Sequence, residues 1–159
     1  LAKYCIIERE VDFMLKLYLD NCCYSRPFDD LTQEKNNLES QAIKVIINKY
    51  CNNEFKIYTS DVLIFEINKI KDEIKRKKVL EVYNKLKLTN IKASDKIIKR
   101  AYEIRKYNIK DMDSLHIAYA ESFNIDYFIT TDKLLINASK RAGLKMKVMN
   151  PIEFVMEVI

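Results

Sequence analysis

The sequence predicts an α/β fold, a mainly parallel sheet with helices on both faces. Short runs of branched and aromatic residues alternate with longer stretches of helical apolar spacing, the order expected of strand–helix–strand units. With Gly 1 and Pro 2 in 159 residues, the chain has too few turn-formers for a sandwich of many hairpins. The first clear apolar run, Leu15-Lys16-Leu17-Tyr18-Leu19, stops on Asp20-Asn21. It reads as a buried strand with an acid at its carboxyl end. Ligands of open α/β sheets bind outside that end, which makes Asp20 the first candidate functional residue.

Residues 1–13 (LAKYCIIEREVDF) leave two readings open: an extension ahead of a natural start at Met14, or an added edge strand at Tyr4-Cys5-Ile6-Ile7. Residues 14–159 are read as a single domain. After Asp20, Ser25-Arg26-Pro27-Phe28-Asp29-Asp30 predicts a polar loop. Leu38, Ala42, Ile43, Val45, Ile46 and Ile47 predict a helix from about Gln33 to Tyr50. Phe55 to Tyr58 is a second strand. Thr59 or Ser60 caps the next helix, with Asp61 in its first turn and Glu66 among Val62, Leu63, Phe65 and Ile70. Lys69 to Lys87 continues as a helix with a basic face (Lys71, Lys75, Arg76, Lys77, Lys78) and an apolar face that includes Ile74, Val79, Val82, Tyr83 and Leu86.

Leu88 to Lys92 gives a third strand. Ser94 caps a helix to about Lys106, with Ile97, Ile98, Ala101, Tyr102 and Ile104 inward. Asp111-Met112-Asp113-Ser114 opens another helix, and Ile125 to Thr130 is a strand ending on Thr131-Asp132. A helix from Lys133 closes at Gly143. Met146 to Met149 is the fifth strand, and Asn150-Pro151 starts a last helix.

Composition bounds the function. The formal net charge is +5, which suits a polyanionic partner or reflects nothing more than solvated lysine faces. Cys5, Cys22, Cys23 and Cys51 form no C-x-x-C pair, and with a single histidine they make no usual zinc site. Cys22-Cys23 read as small buried hydrophobes. No apolar run approaches the ~20 residues that span a bilayer, and the start shows no signal-peptide pattern. A reducing, cytoplasmic setting without membrane contact is expected.

Asp20 and Asp132 fall at or just past strand ends on one rim of the sheet. Asp113 opens a helix, where backbone N–H groups favour its charged form. Glu66 sits in an apolar run, where a glutamate is costly to bury unpaired. Clustered carboxylates stay ionised together only around a cation, and hard oxygen ligands suit Mg²⁺ or Mn²⁺. The reaction this predicts is metal-assisted hydrolysis of a phosphodiester, which requires no histidine base and no protein nucleophile.

At these residues the sequence resembles the PIN domain family, in the branch that includes VapC-type toxins of toxin–antitoxin pairs. The resemblance rests on Leu17-Tyr18-Leu19-Asp20-Asn21, Ser60-Asp61 with Glu66, Asp113-Ser114-Leu115-His116-Ile117-Ala118, and Tyr127-Phe128-Ile129-Thr130-Thr131-Asp132. It extends over about Leu15 to Phe154, with Asn150-Pro151-Ile152-Glu153-Phe154 like the ending of that branch. It implies a three-layer α/β/α fold with a five-stranded sheet in the order 3-2-1-4-5. It also implies a Mg²⁺- or Mn²⁺-dependent ribonuclease leaving 5′-phosphate and 3′-hydroxyl ends, an antitoxin partner if the chain is a toxin, and a homodimer. The acidic quartet maps to Asp20, Glu66, Asp113 and Asp132. Thr131 matches a polar residue that positions ligand or water, and Asn21 stands where many members have Thr or Ser. Leu134 stands where many carry a further acid, which favours one tightly held ion.

His116, one turn after Asp113, reads as a partly buried helix histidine with a local hydrogen bond rather than as a ligand. Asp111 reads as a helix cap in preference to an extra carboxylate around the metal, and Asp126 as a cap or turn residue. Arg26 is divided between an RNA phosphate and a salt bridge to Asp29 or Asp30. Lys71 to Lys78, with Lys96, Lys99, Arg100 and Arg105, either guide RNA or are solvated. Two other functions stay open: a catalytically weak binding module on the same fold, and a DNA nuclease acting on flaps or single strands.

Overall fold

The computed structural model describes residues 14–159; the extension, the Tyr4–Ile7 edge strand and Cys5 lie outside the described residues. Its strands are β1 (Lys16–Leu19), β2 (Lys56–Ser60), β3 (Thr89–Ile91), β4 (Tyr127–Ile129) and β5 (Lys147–Met149). They form one sheet in the order β3-β2-β1-β4-β5. Every neighbouring pair is parallel, so the expected order holds and "mainly parallel" becomes wholly parallel.

Side chains of β1 alternate between the two faces, as a strand's period of two requires. Leu17 and Leu19 join Ile57, Ile129 and Met149 in one core. Tyr18 joins Tyr58 and Phe128 in the other, stacked on Phe128 with centroids 5.3 Å apart. Helices α1 (Asn21–Ser25), α2 (Glu34–Cys51), α3 (Asp61–Asn68) and α4 (Glu73–Leu86) cover the Leu17 face through residues such as Tyr24, Ile46, Ile67 and Val79. On the Tyr18 face lie α5 (Asp95–Arg105), α6 (Asp111–Ser122) and α7 (Lys133–Ser139), through Ile104, Ile117 and Leu135. The last helix, α8 (Pro151–Val158), returns to the Leu17 face. There Phe154 is wholly buried, edge-on to Phe55 and Tyr127. Burial of such a ring contributes about 1.5–3 kcal/mol.

Several expectations are corrected. The segment directly after Asp20 is the short helix α1, because the Asp20 carboxylate accepts the Asn21 N–H and caps it. The expected loop from Ser25 starts within that helix and continues as a 3-10 turn at Arg26–Phe28. The long basic helix is interrupted at residues 69–72; Asp72 caps α4 through the Lys75 N–H, and Arg76 satisfies the freed Ile70 carbonyl. Ile74, Ile98 and Tyr102 are exposed. In α5 the buried stripe is Ile97, Ala101 and Ile104, at helical spacing, and Ile98 and Tyr102 lie about one residue's rotation off it. Helix α7 ends at Ser139, and Gly143 adopts its left-handed φ of 59° in the turn beyond. Asp111 is not a cap but a first-turn residue paired with Arg105 at 2.7 Å. Ser94 and Asn150 do cap α5 and α8 as expected. No helix among the described residues is long and apolar enough to cross a membrane.

The chain leaves β1 towards β2 on one side and returns to β4 on the other. That reversal makes the carboxyl end of β1 the topological switch point, where open α/β sheets form a crevice.

Candidate functional site

Parallel pairing sets Leu19 beside Ile129, so the next residues, Asp20 and Thr130, emerge side by side at the switch point. The Asp20 N–H donates to the Ile129 carbonyl at 2.9 Å. Its buried carboxylate accepts the Asn21 N–H (2.7 Å) at Oδ1, and at Oδ2 the Thr130 hydroxyl (2.7 Å) and the Cys22 thiol (3.4 Å). These neutral donors orient the carboxylate. Beside it, Asn21 Oδ1 is buried with no hydrogen-bond partner among the described residues.

Glu66 comes from α3 and His116 from α6. Glu66 Oε2 lies 2.6 Å from His116 Nε2, and His116 is wholly buried. Asp20, Glu66 and His116 each offer a ligand atom, and these atoms all lie within 4.8 Å of one another. Asp113, one turn before His116 on α6, has its carboxyl pushed up to about 6. Burial is the main cause; the charges of Asp20, Asp132 and Glu66 add to it, and His116 opposes it. Asp132 caps α7, its Oδ1 accepting the N–H groups of Leu134 (2.8 Å) and Leu135 (3.2 Å). The structure thus gathers Asp20 and Glu66 tightly, with His116, and brings Asp113 and Asp132 within electrostatic reach. Leu134, at the position without an acid, is an exposed side chain.

Thr131 is buried and engaged elsewhere. Its hydroxyl oxygen accepts from Arg26 Nη2 at 2.9 Å, and its N–H donates to Cys22 Sγ. Thr130, which the sequence reading passed over, is the threonine that donates to Asp20. Cys22 is only half-buried and touches Asp20, Thr130 and Thr131; of the adjacent pair, Cys23 alone is the buried hydrophobe expected.

Arg26 resolves to the internal role. It pairs with Asp29 (2.7 Å), donates to Asn36 (2.9 Å), and lies 2.9 Å from the wholly buried Glu39, an ion pair of proximity rather than an aligned hydrogen bond. Glu39 also accepts from Asn150 Nδ2 at 2.8 Å. Lys75, on the basic face of α4, pairs with Asp29 as well. Arg100 and Arg105 are paired with Glu121 and Asp111, whereas Lys71, Lys77, Lys78, Lys96 and Lys99 are exposed. Asp126 anchors the sheet by accepting the Lys16 N–H at 2.8 Å.

The histidine reading needs the largest correction. His116 is neither partly buried nor locally bonded; its Nδ1 lies 2.7 Å from the Tyr18 hydroxyl of β1, and that hydroxyl lies 2.6 Å from Ser60 Oγ of β2. Ser60 occupies the N-cap position of α3 yet makes no side-chain cap there. Tyr18 carried a usable signal: a tyrosine between two leucines on a central strand must find a partner for its hydroxyl.

Carboxylate oxygens from Asp20 and Glu66, with Asp113 and Asp132 near, fit a hard divalent cation. A raised Asp113 is what burial produces first, with uncompensated neighbouring carboxylates adding to it. A groove of about 930 Å³ lies elsewhere, bordered by Lys92, Lys96, Arg100, Glu121 and Lys145; none of Asp20, Glu66, Asp113 and Asp132 lines it.

The family model for the PIN domain matches residues 32–140. Comparison with curated proteins returns no match. Among solved structures, the chain is similar to one described as the crystal structure of VapBC2 from Rickettsia felis bound to a DNA fragment from their promoter. That likeness has a TM-score of 0.52 at 19% identity and covers 86% of this chain and 98% of the other, which is a likeness of fold.

Proposed function

The chain belongs to the PIN domain family, and on that premise we propose that it is a metal-dependent endoribonuclease acting at the acidic rim beside β1. The observation that carries this reading is the approach of Asp20 and Glu66, within 4.8 Å of each other at the switch point, with Asp113 raised to about 6 by burial and their charges. Mg²⁺ or Mn²⁺ would be held by Asp20, Glu66, Asp113 and Asp132, directly or through water. When bound, such an ion supplies charge stabilisation at a phosphoryl oxygen and lowers the pKa of a bound water.

The chain's own groups have separate tasks. Thr130 and the Asn21 N–H hold the Asp20 carboxylate in one orientation. Asp132 keeps its charge fixed by capping α7. Arg26 holds the Thr131 hydroxyl in place, and the buried Oδ1 of Asn21 supplies an acceptor beside Asp20. Exposed lysines on α4 and α5 provide an attractive field for a phosphate backbone. The likeness to VapBC2 supports extending this reading to a toxin with an antitoxin partner; a homodimer in the cytoplasm is part of the same proposal. Residues 14–159 form the single domain that does this.

The test is cleavage of single-stranded RNA with Mg²⁺ or Mn²⁺ by wild type and Asp20→Asn. Asparagine keeps the oxygen that accepts the Asn21 N–H, so the variant is expected to fold and to lose cleavage. Equal cleavage by both proteins would sink the assignment. Cleavage of DNA flaps alone would replace it with a DNA nuclease. No metal uptake at millimolar Mg²⁺ or Mn²⁺ would replace it with a binding module.

A further inference from the structure

Ser60, Tyr18 and His116 form one buried line of hydrogen bonds that ends on Glu66. The three residues are wholly buried and come from β2, β1 and α6. With a neutral imidazole their donors and acceptors close in one consistent direction; an imidazolium would reverse the line beyond the ring, Nδ1–H donating to Tyr18 and Tyr18 to Ser60, with Nε2–H still facing Glu66. A carboxylate only accepts, so the proton between His116 and Glu66 belongs on Nε2. Neutral imidazole then leaves Nδ1 bare, and the Tyr18 hydroxyl donates to it. The Tyr18 oxygen in turn accepts from the Ser60 hydroxyl. Ser60 is free for this because it makes no side-chain bond to the helix it precedes. The opposite tautomer would set a bare Nε2 against a carboxylate oxygen at 2.6 Å, two acceptors face to face.

We propose that Tyr18 and His116 are positioning residues: the Ser60–Tyr18–His116 chain locks the imidazole as its Nε2–H tautomer and so aims the Glu66 carboxylate towards Asp20 for metal capture. The inference rests on the metal-site reading above. The physical need is plain from where Glu66 sits. It reaches the rim from the middle of α3 on a flexible side chain, and its backbone offers no cap geometry of the kind that fixes Asp20 and Asp132. A rigid donor on a neighbouring helix replaces that missing restraint. Tyr18 is itself immobilised by its stack on Phe128 and by packing in the core of the α6 face. The chain therefore connects the centre of the sheet to one metal-facing carboxylate. Hydrogen bonds to a ligating carboxylate from outside the ligand set typically contribute 10–100-fold in metal affinity.

The test uses the tag-free 159-residue chain, in which His116 is the single histidine, so one pair of imidazole nitrogens appears in long-range proton–nitrogen NMR spectra. Metal-free wild type is expected to show a protonated Nε2 and a bare Nδ1, and Tyr18→Phe to lose that preference. Mn²⁺ affinity, measured by calorimetry, is expected to fall about 10-fold or more in Tyr18→Phe and His116→Leu. In His116→Gln, whose amide reaches the Nε2 position, it is expected to stay near wild type. Thermal unfolding of each variant separates lost fold from lost positioning, and Tyr18→Phe, which removes one oxygen atom, carries the test if His116→Leu does not fold. A proton on Nδ1 in wild type, or unchanged Mn²⁺ affinity in a folded Tyr18→Phe, overturns the proposal. So does loss of the Nε2 proton on saturation with Mg²⁺, which would make His116 a ligand. Absence of Mn²⁺ uptake by wild type refutes the metal-site reading itself, whereas normal uptake by wild type and Tyr18→Phe alike refutes the positioning role alone.

Discussion

Asp113→Asn is expected to make the metal-free protein more stable at neutral pH while removing its activity. The Asp113 carboxyl rises from its ordinary 3.8 to about 6, chiefly through burial and then through Asp20. At ~1.4 kcal/mol per pH unit the rise corresponds to about 3 kcal/mol. Asp113 is only partly buried, so solvent screening reduces this to about 1–2 kcal/mol. The sign follows from linkage. Between about pH 4 and 6 the folded protein holds a proton that the unfolded chain has released, so stability declines as pH rises through that window and is level above it. Asparagine carries no charge to bury, and among the described residues no hydrogen bond to the Asp113 carboxylate is lost. The variant should therefore gain about 3–6 °C in Tm at pH 7.5, with the gain vanishing near pH 4. Thermal melts of wild type and variant in chelator, from pH 4 to 8, provide the measurement. Saturating Mg²⁺ should raise the wild-type Tm and narrow the gap between the two proteins. A variant less stable than wild type at pH 7.5, or parallel pH profiles for the two, would refute the account of a crowded acidic rim.

Arg26→Met should cost about 3 kcal/mol, because it leaves Glu39, wholly buried, without its nearest cation; denaturant unfolding should show Arg26→Met with Glu39→Gln recovering part of that loss. Asp132→Ala should lose about 1 kcal/mol with the α7 cap, whereas Asp132→Asn keeps the cap; if both lower Mn²⁺ affinity in calorimetry while only Ala lowers Tm, the charge and the cap are separate contributions. Lys87 closes α4 in the left-handed region at φ 49°, so Lys87→Gly should raise Tm by about 2–4 °C through relief of that strain.

The strands and the helix order were legible because each depends on local pattern. β1 is a period-two run that stops on an acid, α5 is announced by Ser94, and α8 by Asn150-Pro151. The strand order came from the family resemblance, since parallel pairing between residues far apart in the chain leaves no local trace. The errors share a cause. The apolar types of Ile74, Ile98 and Tyr102 point inward, but a helix buries a stripe, and the stripe is chosen by what packs against it. Helix α1 leaves no mark in the sequence because its nucleating event is the Asp20 carboxylate turning back onto the Asn21 N–H, a second role for a residue whose strand-end position points to a ligand.

The site divides along the same line. Asp20 and Asp132 lie at strand ends, so sequence alone could place them on one rim; Glu66 and Asp113 lie on helices, where their approach depends on how α3 and α6 pack. His116 shows how far that matters. From sequence it is a histidine flanked by Leu115, Ile117 and Ala118, and its nearest acidic candidate is Asp113, one turn away. In the fold its two nitrogens meet Tyr18 and Glu66, from elements separated in sequence by 98 and 50 residues. Local spacing therefore pointed to the wrong carboxylate. The burial of an imidazole demands two hydrogen-bond partners, and tertiary packing supplied them from the sheet on one side and from the acidic rim on the other.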